Sequence, residues 1–306
     1  MLDEKKTLIF PEFIIGGAQK CATSAHAIWL DTHPDMVCSV PKEPDYFSNA
    51  EKYNNLKDYS GFFSKESDLT DKTLFEASTG YFTDSIAANQ IKKTLGENVK
   101  MIFILKDPLS RTISAYYHMV KHNAETRSVA EVFEGLPETR EEVLSFENDE
   151  LERAYKRGLI DNRRQYRYDD HFLQFRYVSN SLYADHYKRY EALFGAENIL
   201  LLNLDNMHQD PASYFNKITD FVGVENFSSY PDVTDVHNKT KVAFYLLSPW
   251  IRHSKIMFGA CRGLHRAMNI FGRGHLLAKT PPEVPKPIKR KLESLFKIEK
   301  SMLEGL

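Results

Sequence analysis

Phe13-Ile14-Ile15-Gly16-Gly17-Ala18-Gln19-Lys20-Cys21-Ala22-Thr23-Ser24 is the stretch on which the reading of this chain turns. Phe13 to Ile15 suit a buried strand. Ala25, Ile28, Trp29 and Leu30 recur at helical spacing just beyond, so a small-residue turn joins strand to helix. That turn sits at a helix N-terminus, where N–H groups without intrahelical partners and the positive end of the helix dipole favour an anion. Lys20 adds a full charge. Strand-to-helix turns are short and glycine-rich for purely geometric reasons too, so the segment alone leaves a plain connection open. It does not match G-x-x-x-x-G-K-[ST], which argues against an ordinary ATPase or GTPase.

Residues 99–118, Val-Lys-Met-Ile-Phe-Ile-Leu-Lys-Asp-Pro-Leu-Ser-Arg-Thr-Ile-Ser-Ala-Tyr-Tyr-His, repeat the form. Met101 to Leu105 make a second buried strand, Asp107 suits an N-cap and Pro108 a first helical position. Lys106, Arg111 and Ser114 then fall at the strand end and the first turns. Two anion sites at two strand ends imply a ligand with two separated anionic groups. A third segment, Val40-Pro41-Lys42-Glu43-Pro44-Asp45-Tyr46-Phe47, holds a carboxylate between two prolines in an extended loop.

With these three segments the chain resembles the sulfotransferases that use 3'-phosphoadenosine 5'-phosphosulfate (PAPS), closest to the heparan sulfate and bacterial carbohydrate branch, over roughly residues 10–240. Lys20-Cys21-Ala22-Thr23-Ser24 corresponds to that family's K-x-G-T-[ST] loop for the 5'-phosphosulfate, with Ala22 in the glycine position. Lys106-Asp107-Pro108-Leu109-Ser110-Arg111-Thr112-Ile113-Ser114 corresponds to its 3'-phosphate motif, R-N-P-x-x-R-x-x-S. Lys106 replaces the arginine and keeps the charge without the bidentate fork. Lys42-Glu43-Pro44-Asp45-Tyr46-Phe47 matches the acceptor loop K-E-x-x-[FY]-F, with Asp45 where members often have histidine. Glu76-Ala77-Ser78-Thr79-Gly80-Tyr81-Phe82 stands for E-K-[ST]-P-x-Y-[FL] and lacks its lysine at Ala77. Leu202 to Met207, Asp210-Pro211 and Ile218 to Val224 look like the late strand and helix of that fold.

The resemblance implies an α/β fold, a parallel sheet flanked by helices of the P-loop-kinase-like sulfotransferase type. It also implies transfer of a sulfuryl group from PAPS to a hydroxyl by in-line displacement, leaving 3'-phosphoadenosine 5'-phosphate (PAP). In such a step positioning and electrostatics dominate. The roles it assigns are Lys20 on the leaving oxygen and Glu43 as general base. Cys21, Ala22, Thr23 and Ser24 line the donor loop, Thr23 and Ser24 donating to the 5'-phosphosulfate, and Lys106 and Ser114 hold the 3'-phosphate. Lys239, within His237-Asn238-Lys239-Thr240-Lys241, lies where relatives carry a basic loop over PAPS. No metal is required, since lysines and helix termini supply the positive charge. Glu43 as a surface carboxylate paired with Lys42, the hydroxyls as ordinary helix-start residues and Cys21 as a small filler are the plain alternatives.

Composition agrees. A chain of 306 residues, 42% of them hydrophobic and without a long Pro, Gly or Ser linker, reads as one catalytic domain. A formal net charge of -2 argues against a general nucleic-acid binder. Cys21, Cys38 and Cys261 are odd in number and lack metal-ligand spacing, which suits a reducing compartment. The N-terminus is too polar for a signal peptide, and no apolar run of about 18 residues occurs; because animal Golgi members of the resembling branch usually begin with such an anchor, the resemblance implies a soluble bacterial cytoplasmic enzyme.

Strands are expected near 12–16, 73–76, 100–105 and 198–203, and helices near 22–32, 84–95, 109–122, 181–194, 211–222 and 288–304. Such alternation makes a parallel sheet whose ligands bind at the carboxyl ends of its strands. Residues 124–180, with Glu141, Glu142, Glu147, Asp149, Glu150 and Glu152 ahead of Arg163, Arg164 and Arg167, form either a solvated helical insertion or an acceptor-binding wall. Residues 242–279 mix Phe244, Leu246, Leu247, Trp250 and Ile256 with Arg252, Lys255, Arg262, Arg266 and Arg273. They either lie on an anionic membrane or pack on the core with snorkelling arginines. The acceptor is a carbohydrate or glycolipid, or alternatively a small-metabolite or natural-product alcohol. A non-catalytic nucleotide-binding relative is the remaining option, and a kinase would need a true Walker A loop and magnesium carboxylates.

Overall fold

A computed structural model describes residues 8–48, 55–63, 69–122, 124–159, 175–233, 242–243, 246, 248, 251, 254–270, 278–279 and 281–306. Among them the elements run β1 (Phe13–Gly17), α1 (Thr23–Leu30), β2 (Met36–Cys38), α2 (Leu56–Gly61), β3 (Thr73–Glu76), α3 (Ser85–Leu95) and β4 (Lys100–Leu105). Then follow α4 (Pro108–Lys121), α5 (Val129–Phe133), α6 (Arg140–Lys156), α7 (Tyr183–Phe194), β5 (Ile199–Asn203), α8 (Leu204–Gln209) and α9 (Pro211–Val222). The chain closes with β6 (Val242–Ala243), α10 (Lys255–Ile270), β7 (Ala278–Lys279), α11 (Lys286–Leu295) and α12 (Lys297–Glu304). They fall into two compact units, Met1–Asp107 with Tyr183–Val236 and Ser301–Leu306, and Pro108–Leu182 with His237–Lys300.

The first unit holds a five-stranded sheet in the order β2-β3-β1-β4-β5, every pairing parallel. Successive residues Phe13, Ile14 and Ile15, and Met101 to Leu105, are all fully buried, so both sheet faces are covered and the strands read as continuous apolar runs. Helices α1, α3, α7, α8 and α9 flank it. Asp84 caps α3 through the Ile86 and Ala87 amides, and Asp210 caps α9 with Pro211 as its first residue. The chain winds from β1 outward to β2 and β3, then crosses to β4 and β5. The topological switch point therefore lies at the carboxyl end of β1, where open parallel sheets bind ligands. Both glycines of β1 are forced by packing. A Cβ at Gly16 would stand 2.6 Å from the Phe103 ring, and one at Gly17, where φ is +153°, 2.8 Å from Phe82 Cβ.

The second unit is helical around Tyr116, Phe133, Val143, Leu151, Tyr177, Leu292 and Phe296. Several of its buried polar groups are paired among the described residues. Arg111 donates to Tyr177 O at 3.0 Å and Ser181 Oγ at 2.9 Å, and Arg127 pairs with Glu125 at 2.6 Å. Arg140 pairs with the fully buried Glu299 at 2.6 Å.

Strand β2 departs from the expected pattern: it is three residues long, too short for periodicity to reveal. The expected terminal helix is two, parted at Phe296, and β6 pairs antiparallel with β7. Glu147 does not belong to a solvated face of α6. It is 6% exposed and accepts from the Val178 and Ser179 amides at 2.6 and 3.0 Å, burial raising its pKa. On α10, Ile256 is 87% exposed and Leu264 53%, so neither packs on the core. Lys239, Arg163, Arg164, Arg167, Phe244, Leu247, Trp250, Arg252 and Arg273 lie outside the described residues.

Candidate functional site

The loop between β1 and α1 is tightly turned by its own backbone bonds. The Ala18 amide donates to Ile104 O at 2.8 Å and the Cys21 amide to Ala18 O at 3.2 Å, which folds the turn back on itself. Lys20 (φ 74°) and Ala22 (φ 59°) take left-handed conformations, at a cost of roughly 1 kcal/mol or more each for residues with a Cβ. Ala22 is the N-cap of α1, and its carbonyl receives the Ala25 and His26 amides at 3.0 and 3.1 Å. The Thr23 and Ser24 amides open the helix ahead of any i→i−4 partner, the arrangement that receives phosphate or sulfate oxygens. Ser24 is exposed, Lys20 half-buried and Thr23 buried.

His26 locks this loop from below. It is fully buried, its Nδ1 2.9 Å from Ala22 O and its Nε2 2.9 Å from Tyr214 Oη. A carbonyl only accepts, so Nδ1 carries the proton and Nε2 accepts from the tyrosine. Burial lowers its pKa to about 4, so the ring is neutral near pH 7. Sequence reasoning passed over His26, whose only local signal is a polar residue on the apolar side of α1. Cys21 points inward: its thiol is fully buried in the core and its amide is spent inside the turn, so it serves the loop by filling space.

The acceptor loop meets the donor loop through Lys42. Lys42 Nζ donates to Ser24 Oγ at 3.1 Å and pairs with the Glu43 carboxylate, the two side chains being 25% and 39% exposed. The pairing with Glu43 weighed as a surface contact is thus present, and its other end is on the donor loop. Glu43 is exposed.

Beneath the loop is a buried acid. Glu76, ending β3, is fully buried and accepts from Tyr59 Oη at 2.7 Å, Ser78 Oγ at 2.8 Å and Tyr81 Oη at 3.4 Å. Burial outweighs these donors and pushes its pKa up to about 7. Ala77 is fully buried, and its amide donates to Lys42 O at 3.1 Å, so the position that lacks a lysine lies beside one that has it.

Lys106 directly follows β4 in the first unit, where its carbonyl accepts from Tyr183 Oη at 3.0 Å. Ser114 is half-buried on α4 in the second unit, and Arg111 is buried there against Tyr177 and Ser181. Lys20, Thr23, Ser24, Lys42 and Glu43 thus share one unit, while Lys106 and Ser114 stand in different ones.

Comparison with known proteins identifies the family. A family model for the sulfotransferase domain matches residues 11–244. The chain is 25% identical over 234 residues to bifunctional heparan sulfate N-deacetylase/N-sulfotransferase 4 of Mus musculus and 26% identical over 232 residues to N-deacetylase/N-sulfotransferase 1 of Homo sapiens. These matches cover 75% and 74% of this chain and 24% of each relative, so the chain spans about a quarter of the length of the curated relatives it matches. Among solved structures, a sulfotransferase from Alicyclobacillus acidocaldarius superposes with a TM-score of 0.54 at 20% identity, covering 97% of this chain and 99% of that one. It shares the fold. With the family model running from before β1 to past β6, the chain belongs to the sulfotransferase domain family.

Proposed function

We propose that this chain transfers a sulfuryl group from PAPS to a hydroxyl or amine of a carbohydrate acceptor, with Glu43 as the general base. The observation that carries the reading is Lys42, whose ammonium touches the donor loop at Ser24 and the Glu43 carboxylate at once. A base tied to an anion-binding loop suits a reaction in which an anionic group leaves that loop for a nucleophile beside the base. The acceptor O–H or N–H attacks sulfur, the bond from sulfur to the 5'-phosphate oxygen breaks, and PAP departs with the electron pair. The acceptor proton passes to Glu43. In this reading Lys20 and the Thr23 and Ser24 amides stabilise the negative charge that grows on the departing oxygen, and such fixed donors are worth about 10² to 10³ in rate each. The carbohydrate class comes from the heparan sulfate named in the relatives.

Calorimetric titration with PAP, with adenosine 5'-monophosphate and ATP as controls, tests the donor site. Micromolar binding that needs the 3'-phosphate supports the reading, and tighter binding of ATP overturns it. Glu43→Gln should leave PAP affinity unchanged and cut PAPS-dependent sulfation of an N-desulfated heparan oligosaccharide at least tenfold (about 1.4 kcal/mol). Unchanged sulfation removes Glu43 from the role.

A lipid-linked sugar is favoured by α10. It holds Ile256 and Leu264 outward, and residues 255–270 include Arg262, His265 and Arg266 without one Asp or Glu. An apolar face with a basic one suits an anionic bilayer surface. Co-sedimentation with phosphatidylglycerol vesicles, absent with phosphatidylcholine and lost in Ile256→Asp, is the expected result; equal behaviour with both lipids refutes it.

A further inference from the structure

We propose that Glu76 is the positioning residue of the Lys42–Phe47 loop, gripping it at two points through Ser78 and Tyr81 and so aiming the segment that presents Glu43. The relay is legible atom by atom. The Asp45 amide donates to Ser78 Oγ at 3.1 Å, and that hydroxyl donates to Glu76 Oε2 at 2.8 Å. The Phe47 amide donates to Tyr81 Oη at 3.2 Å, and that hydroxyl reaches the same carboxyl oxygen at 3.4 Å. Tyr59 holds Oε1 at 2.7 Å. The loop carbonyl of Lys42 is fixed separately by the Ala77 amide, one residue from Glu76. Asp45 sits at φ 48°, a backbone that its short polar residue tolerates and that turns its N–H toward Ser78.

Three hydroxyls donate into this carboxyl, a pattern that suits the carboxylate. A protonated Glu76 must place its hydrogen against one of them, and that hydroxyl has to turn round. In the anionic form all three bonds are charge-assisted, and the Ser78 and Tyr81 hydroxyls become better acceptors for the Asp45 and Phe47 amides behind them. The groups facing Glu76 are Tyr59 from α2, Tyr81 after β3, Asp45 from the loop and Cys38 from β2. None is a cation, and Asp45 adds repulsion, so burial dominates and the group titrates near neutrality. Ionisation of Glu76 therefore tightens the loop as pH rises through about 7.

Hydrogen exchange of the full chain tests this without an acceptor, at about one pH unit on either side of neutrality, with rates divided by those of a free 39–47 peptide. In the wild type the Asp45 and Phe47 amides should gain about fivefold in protection at the higher pH, one well-made hydrogen bond's worth. In Glu76→Gln the protection should be equal at both. A wild type without the gain, or a Gln variant that keeps it, overturns the proposal. Tyr81→Phe gives a second arm: Phe47 protection should fall while Asp45 protection stays, and equal loss at both sites also overturns it. The effect on turnover rests on the sulfotransferase reading, under which Glu76→Gln lowers kcat and leaves PAP affinity intact. A protein that binds no PAP but shows the exchange pattern sinks that reading and leaves the relay standing.

Discussion

His26 and Glu76 make opposed contributions to the pH dependence of stability, and replacing either should expose the other. His26 is held neutral in the fold, its pKa lowered to about 4 against an ordinary 6.5. Between those values the unfolded chain binds a proton that the folded one does not. Its contribution is therefore complete above about pH 6.5 and is lost as pH falls toward 4. The difference of about 2.5 units corresponds to roughly 3 kcal/mol at 1.36 kcal/mol per unit. Glu76 runs the other way: with its pKa pushed up to about 7 from 4.5, its contribution is complete below about pH 4.5 and is lost as pH rises toward 7. Across the shared window the two slopes offset each other. Urea unfolding of the wild type, His26→Asn and Glu76→Gln at several pH values reads them out. The asparagine keeps a donor for Ala22 O and loses the Tyr214 bond, a constant offset of about 1 kcal/mol. Beyond that offset, the stability gap between wild type and His26→Asn should widen by roughly 3 kcal/mol from about pH 4 to pH 6.5. The gap to Glu76→Gln should shrink over a similar span. Parallel curves for all three proteins would refute the reasoning, because they would mean that neither group changes its proton affinity on folding.

Ala22→Gly should raise stability by about 0.5–1 kcal/mol in a thermal melt, since glycine takes the left-handed N-cap without Cβ strain; a lower melting temperature would show that the alanine is unstrained. Lys42→Met should cut sulfuryl transfer about tenfold by detaching Glu43 from the donor loop, and unchanged transfer would reduce the pair to a surface contact. Arg140→Ala should cost about 3–5 kcal/mol in urea by stranding the buried Glu299. The double variant Arg140→Met with Glu299→Leu should recover most of it, and a single variant of near wild-type stability would contradict the burial of that pair.

The parts of the fold that were legible in the chain are those whose cause is local. Continuous apolar runs at 13–15 and 101–105, followed by Lys20 or by Lys106-Asp107-Pro108, reveal β1–α1 and β4–α4 because strand, turn and helix start are adjacent in sequence. Asp210-Pro211 announces α9 for the same reason. What was not legible depends on pairing between distant segments. Strand β2 exists because Met36, Val37 and Cys38 register with Thr73, Leu74 and Phe75, a fact about β3 as much as about residues 36–38. The Glu76 relay needs Asp45, Phe47, Tyr59, Ser78 and Tyr81 gathered from three segments. Glu147 looked like one more acid on a charged helix, and only the Val178 and Ser179 amides turn it into a buried acceptor. Periodicity shows which side of an element is apolar; it does not show which polar residue finds partners there.

The order in which the chain acquires its structure follows from the clasp at Thr112, whose hydroxyl meets Ser181 Oγ at 2.7 Å and Tyr177 O at 3.0 Å beside Arg111. Strands β4 and β5 are neighbours in the sheet but are separated by residues 106–198, and joining them from an open chain means closing that whole loop. Once the clasp is made, residues 113–180 drop out of the closure, leaving two short connections. Each halving of a loop lowers the entropic barrier by about 0.6 kcal/mol, so early formation of the clasp speeds the addition of β5 to the sheet. On this reasoning Thr112→Val should slow refolding more than it speeds unfolding, and an unchanged refolding rate in stopped-flow would refute it.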